Sequence, residues 1–221
     1  MKHYFLWSCC AASMLAVAAT LGMAQQPGPT VPNKIEEDWQ LVVANPDPQS
    51  IGPQITTCAS PNSDPAAAFV TFYLNYQDYP SWSPGGLQIK AYGPAPNAST
   101  SPPVLDSASQ GSGVCETQGE TISWTQRMKL SGGNLNFKVV NGLSTTWGQF
   151  GQGPGTFGVS MPSTLSDLSA YKPDYSVSKS GVSWQSNRVT SMTLLRVRYY
   201  NGRQLISTDS TSRTVQLTPG N

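Results

Sequence analysis

Apolar and polar residues alternate with a period of two through most of the longer segments of the chain, and the stretch from Thr121 to Phe150 shows this most fully. Ile122, Trp124, Met128 and Leu130 fall on one side and Ser123, Thr125, Arg127 and Lys129 on the other, the pattern of a half-buried strand. Gln126 is the one polar residue on the apolar side. Ser131-Gly132-Gly133-Asn134 supplies turn residues, after which Leu135, Phe137 and Val139 resume the alternation as far as Asn141-Gly142. Asn-Gly between two such runs predicts a hairpin, because a type I′ turn needs positive φ at both central residues. The expected result is a three-stranded meander. Its register sets Leu130 opposite Leu135, Met128 opposite Phe137, Arg127 opposite Lys138, Val140 opposite Leu143 and Asn136 opposite Trp147. Arg127 facing Lys138 is a like-charge pair that costs up to about 1 kcal/mol unless an anion or an acidic side chain relieves it.

Further strands are expected on the same grounds. Gln40 to Val43 is β-prone and follows Glu36-Glu37-Asp38, which reads as a solvated strand start with only Glu36 and Asp38 on a shared face. Gln54 to Cys58 and Gly86 to Tyr92 read as strands, and Ala67 to Tyr76, bulky on both sides, reads as a central one. Tyr175 to Trp184 alternates as one more strand. Val189 to Tyr200 is a long strand returning through Asn201-Gly202, with Leu195, Val197, Tyr199 and Ile206 on one side and Arg196, Arg198, Tyr200 and Arg203 on the other. Ser163 to Tyr171 is the only helix expected, and 93–113, poor in large apolar residues, is expected to be a long surface loop. Tyr79 and Trp82 fall in the aromatic, proline-rich segment 77–86 and are candidate exposed ligand contacts.

Composition agrees with an all-β chain: charged residues are only 11% of 221, and strong helix formers are few. Residues 1–24 have the Lys2, apolar centre and small-residue end of a signal peptide, so export is expected, with 25–33 a proline-rich leader and 34–221 one domain. No later stretch is apolar enough to span a bilayer as a helix. Loss of Lys2 with the signal peptide leaves twelve basic against twelve acidic residues, a neutral chain with no bulk attraction for nucleic acid. The signal peptide also holds His3, the only histidine, which excludes Ser-His-Asp, Cys-His and His-ligated metal chemistry from the exported chain. In an oxidising compartment the remaining Cys58 and Cys115 are expected to form a disulfide.

Candidate chemistry is correspondingly narrow. The acids Glu116, Glu120, Asp78, Asp106, Asp167, Asp174 and Asp209 are scattered, with no alternating acidic strand of the kind a glucanase uses. A polysaccharide lyase without histidine would need a tyrosine base, Tyr73, Tyr92 or Tyr200, beside Arg127 and Lys138. Binding without catalysis needs less: Arg127, Asn136, Lys138 and Trp147 supply amides, cations and an aromatic platform on one sheet face. No metal and no cofactor is expected, and a structural domain without a small ligand is the further alternative.

The blocks EEDWxLVV, PGGLQI, WTQRMxLSxGNLxFxVVNGxSTTWGxFG and NRVxSMxLxRVRYY, spanning Lys34 to Asp209, resemble a group of uncharacterised secreted bacterial β-sandwich domains. The layout more distantly resembles concanavalin-like jelly rolls, a resemblance that implies glycan binding without choosing among lectins, glucanases and lyases. The expectation is thus an antiparallel two-sheet β-sandwich, exported, that binds a polysaccharide or another extracellular or cell-surface component.

Overall fold

The computed structural model describes residues 30–45, 52–64, 68–75, 86–93, 105–110, 115–146, 148–151 and 157–217. Two antiparallel sheets face one another, and among the described residues there is a single α-helix. The larger sheet holds β1 (Lys34–Val43), β6 (Thr121–Ser131), β7 (Asn134–Ser144), β8 (Gly148–Phe150), β9 (Gly158–Pro162), β11 (Val189–Asn201), β12 (Gln204–Asp209) and β13 (Arg213–Thr214). Its order is β12-β11-β1-β6-β7-β8, with β9 also on β7 and β13 on β11. The smaller sheet, β10-β2-β3-β4-β5, comprises β2 (Gln54–Ala59), β3 (Phe69–Leu74), β4 (Gly86–Tyr92), β5 (Leu105–Gln110) and β10 (Gly181–Trp184). The all-β sandwich is therefore as expected. The strand order does not establish jelly-roll connectivity, since β2 to β5 lie side by side in chain order as a meander.

Inward residues of both sheets share one core. Trp39 and Trp124, directly paired on β1 and β6, stack with centroids 6.4 Å apart, and Phe72 of the smaller sheet meets Trp124 edge-on at 5.7 Å. Each such pair adds about 1 kcal/mol beyond the area it buries. The first hairpin has the expected register, Leu130 on Leu135 and Arg127 on Lys138, and its turn residues Gly132 and Gly133 both take positive φ, as a type I′ turn requires.

Several expectations are corrected. Asn141-Gly142 is not a hairpin: β7 continues through it, and the two residues together oppose Trp124 as a β-bulge with Asn141 at φ 55°. The left-handed conformation that Asn-Gly offers to a turn serves a bulge equally well. A Cβ on Gly142 would lie 2.4 Å from the Phe150 ring, so close approach fixes the glycine as well. Consequently Asn136 pairs with Ser160 of β9 rather than with Trp147, and Val140 with Thr125 rather than with Leu143. The Asn201-Gly202 hairpin forms one residue later, around Gly202 and Arg203. Bulges in this hairpin leave Leu195 and Ile206 exposed instead of inward.

The helix is α1 (Pro173–Lys179), not Ser163 to Tyr171. In the latter segment Ser163 Oγ and Asp167 Oδ1 accept the Leu165 and Ser169 amides, local bonds that compete with helix, while the Leu168 amide is drawn to Pro32 O. Pro173 at the first turn, Asp174 beside it and Lys179 in the last turn suit the helix ends that form. Strand character in Tyr175 to Trp184 is accordingly confined to Gly181–Trp184. The expected loop 93–113 contains β5, which pairs with β4 through backbone groups and needs no run of large apolar residues. β1 is no solvated strand start: it runs between β11 and β6, and Glu36 and Glu37 are buried.

Cys58 and Cys115 are free and separately buried, so the expected disulfide is absent. Two cysteines in a chain indicate only that pairing is chemically open, whereas a bond needs their Cα atoms within about 7 Å. Burial pushes the Cys58 thiol up to about 12, and Cys115 is raised by burial and by Glu120 and Glu116, so both are inert fillers of the interior.

Candidate functional site

Alternation sorts the three consecutive carboxylates of β1 onto two faces. Glu37 points inward. It accepts hydrogen bonds from Trp39 Nε1 at 2.9 Å, Gln126 Nε2 at 3.0 Å, Tyr171 OH at 2.5 Å and Ser176 Oγ at 2.6 Å, while Gln126 Oε1 accepts from Thr57 Oγ1 at 2.7 Å. Gln126, the polar residue on an apolar strand face, is thus explained by its pairing opposite Glu37. Burial raises the Glu37 carboxyl above its ordinary value against the pull of these four donors. Fully enclosed, it ties β1, β6, the segment before α1 and α1 itself together, and it is a structural group.

Glu36 and Asp38 point outward into cross-strand rows. One row runs Arg198, Glu36, Arg127, Lys138, Gly158; the next runs Tyr200, Lys34, Lys129, Asn136, Ser160; the third runs Arg196, Asp38, Thr125, Val140. Six cations share this face with two carboxylates. Glu36 Oε1 accepts from Arg127 Nε at 2.7 Å and lies 3.4 Å from Lys34 Nζ, and its Oε2 lies 3.3 Å from Arg198 Nη2. Asp38 Oδ1 accepts from Thr125 Oγ1 at 2.7 Å and Arg198 Nη2 at 2.8 Å, and Oδ2 accepts from Arg196 Nε. Burial raises the Glu36 carboxyl, but Arg127, Lys34 and Arg198 outweigh it and hold it below its usual value. The like-charge cost of Arg127 facing Lys138 is relieved from the β1 side by Glu36.

At least two depressions lie on this face. The first is a hollow of about 290 Å³ lined by Arg127, Lys129, Ser131, Asn136 and Lys138. Asn136 is pinned there by Nδ2 bonds to Lys129 O and Asn134 O, which leaves its side-chain oxygen as an acceptor. The second, about 410 Å³, lies over the Trp39–Trp124 pair and includes Asp38, Ser123, Asn141, Leu195 and Arg196 in its lining. Register shifts flank that pair on both sides, in β11 between the partners of Asp38 and Trp39 and in β7 opposite Trp124. Such bulges re-aim side chains and open a sheet surface locally.

Of the residues singled out in the sequence, Arg127, Asn136 and Lys138 come together in the first hollow. Trp147, Tyr79 and Trp82 lie outside the described residues. Tyr73 and Tyr92 are on the smaller sheet, away from Arg127 and Lys138; Tyr200 shares their face, but Lys34 Nζ sits 3.6 Å over its ring. The Tyr200 phenol is raised by burial first and by Glu36 second, the wrong direction for a base. Lys129, Arg196 and Arg198 were not among the chosen site residues, although a signal for the arginines exists. Glu36-x-Asp38 and Arg196-x-Arg198 carry opposite charges at the same spacing of two, as paired strands would. Among the described residues no cluster of three or more His, Cys, Asp or Glu is arranged to hold a metal ion, and no helix is long and apolar enough to cross a membrane. Comparison of the chain with family profiles, with curated proteins and with solved structures finds no match.

Proposed function

We propose that the outer face of the larger sheet binds an anionic polysaccharide of the extracellular space, without catalysis, after export of the chain. The observation that carries this reading is the hollow formed by Arg127, Lys129, Asn136 and Lys138 on a face where both carboxylates are already engaged by arginines. Lys129, which pairs with neither carboxylate, adds a cation to that hollow for an incoming anion. A rigid sheet holds the contacts at fixed spacing, which suits a repeating polymer.

Nucleic acid is the less favoured polyanion. Single strands bind by stacking bases on aromatic rings, and the Tyr200 ring on this face is covered by Lys34. A lyase reading has little support, since its tyrosine and its cations are not brought together in a form that favours proton abstraction.

The test is a titration of the exported chain with polygalacturonate, alginate and a single-stranded oligonucleotide at low and moderate salt, with absorbance monitored for unsaturated uronate. Saturable binding to a polyuronate is expected, weakened by salt. It should weaken at least tenfold in Lys129→Gln/Lys138→Gln, with no unsaturated product. Product formation, tighter binding of the oligonucleotide, or no binding to any glycan would overturn the reading.

A further inference from the structure

Arg196 has an arrangement that the first hollow does not use. Its Nε is committed to Asp38, its side chain is 52% exposed, and neither Nη atom bonds to another group among the described residues. Asp38 meanwhile accepts from Thr125, Arg198 and Arg196, and the two guanidiniums outnumber its single negative charge, so the cleft carries no spare negative charge. A guanidinium held by Nε presents its two outer nitrogens as a preset fork, the geometry that accepts a carboxylate or sulfate through two parallel N–H bonds. The bulge residue Leu195 forms an apolar wall beside it, and Ser123 and Asn141 offer neutral polar groups across the cleft. The face therefore has two anion-accepting positions of different character, a lysine-rich hollow and an arginine fork.

Their separation follows from the register. Arg196 lies in the row of Asp38, and Lys129 in the row of Lys34, four residues along β1 and two strands across. With about 3.3 Å per residue and about 4.8 Å per strand, the backbone separation is about 16 Å. Lys138, two residues along and three strands across, is also about 16 Å away by the same spacings. One sugar ring with one acidic group cannot touch both positions.

We infer that the Arg196 cleft is a second anchoring subsite, and that the ligand is a linear polyanionic oligosaccharide long enough to carry one acidic group into the cleft and another into the Arg127–Lys129–Lys138 hollow. This rests on the proposed function and adds to it a minimum ligand length. Linking two weak contacts makes the second intramolecular, so affinity rises by one or more orders of magnitude once the chain spans both.

The experiment is a calorimetric titration of wild-type protein with a uronic-acid monomer and a ladder of its oligomers, and with a sulfated ladder of matched lengths. The expected result is a step of at least tenfold in affinity at the length that first spans the face. In Arg196→Gln the step should vanish, so that long oligomers bind no more tightly than short ones. Arg196→Lys, which keeps a cation beside Asp38 but removes the fork, should also lose most of the step, and melting curves of both variants check that they fold. The ladder that gives the larger step identifies carboxylate or sulfate as the group the fork takes. Affinity that does not depend on length, or that falls equally for short and long oligomers in Arg196→Gln, overturns the second subsite and leaves the proposed function standing. Failure of wild type to bind any member of either ladder overturns both.

Discussion

The two faces of β1 put the same chemical group to opposite ends. Glu37 and Glu36 are neighbours in sequence and both are buried, yet one faces four uncharged donors in the core and the other faces three cations at the sheet surface. Their carboxyls move in opposite directions, Glu37 up through burial and Glu36 down because its cations outweigh burial. Depth alone thus does not decide how a carboxylate behaves; the charge of its partners does. The inner group locks the helix and the segment before it onto the sheet, while the outer group neutralises part of the cationic surface of the sheet.

The sharpest way to break the comparison is Glu37→Leu. Four donors would lose their acceptor inside the core, with an expected loss of about 4 kcal/mol in urea unfolding. Equal stability of this variant and wild type would show that the network is dispensable. Gly142→Ala, at the bulge below the cleft, should cost about 2 kcal/mol because its Cβ overlaps the Phe150 ring. Glu36→Gln on the outer face should cost only about 1 kcal/mol, since Arg127 is partly exposed and Arg198 keeps Asp38. It leaves the face more basic, so binding of a polyuronate should tighten as stability falls.

A pH series sharpens the contrast further. Glu37, with its raised value, contributes stability that is present below about pH 4.5 and is lost as pH rises through its folded value. Glu36, with its lowered value, contributes stability that is present above about pH 4.5 and is lost as pH falls through its folded value. Chemical denaturation from acid to neutral pH should therefore show Glu37→Gln flattening the profile above that point and Glu36→Gln flattening it below. Identical profiles for the two variants would remove the distinction between the faces. The smallest effect concerns the thiols: Cys58 and Cys115 should resist alkylation in the native protein and react fully after unfolding without reductant. A pair that stays unreactive after unfolding would mean a disulfide.

Much of the larger sheet was legible because alternation and a Gly-Gly turn are local signals. The Arg127–Lys138 register and the grouping of Arg127, Asn136 and Lys138 followed from them. Asn141-Gly142 was misread because the signal reports a backbone conformation, positive φ, and both a turn and a bulge use it. The helix expected over Ser163 to Tyr171 does not form because Ser163 and Asp167 give their oxygens to the Leu165 and Ser169 amides, local bonds that compete with helix. Alternation alone puts Leu195 and Ile206 inward, but each is the inserted residue of a bulge and so falls outside the alternation.

The sequence by itself determined an all-β chain, the face on which each residue of β6 and the first half of β7 lies, and a chemistry poor in catalytic groups. Strand periodicity and turn residues are properties of a few neighbouring positions, so no distant contact is needed to read them. Only the tertiary structure decided that β1 lies between β11 and β6. That placement turned three adjacent carboxylates into one core acceptor and two surface ion-pair centres, and it gathered six cations from four strands onto one face. Pairing between segments some eighty or more residues apart is chosen by the whole set of side chains they bury and neutralise, and no single segment contains that choice.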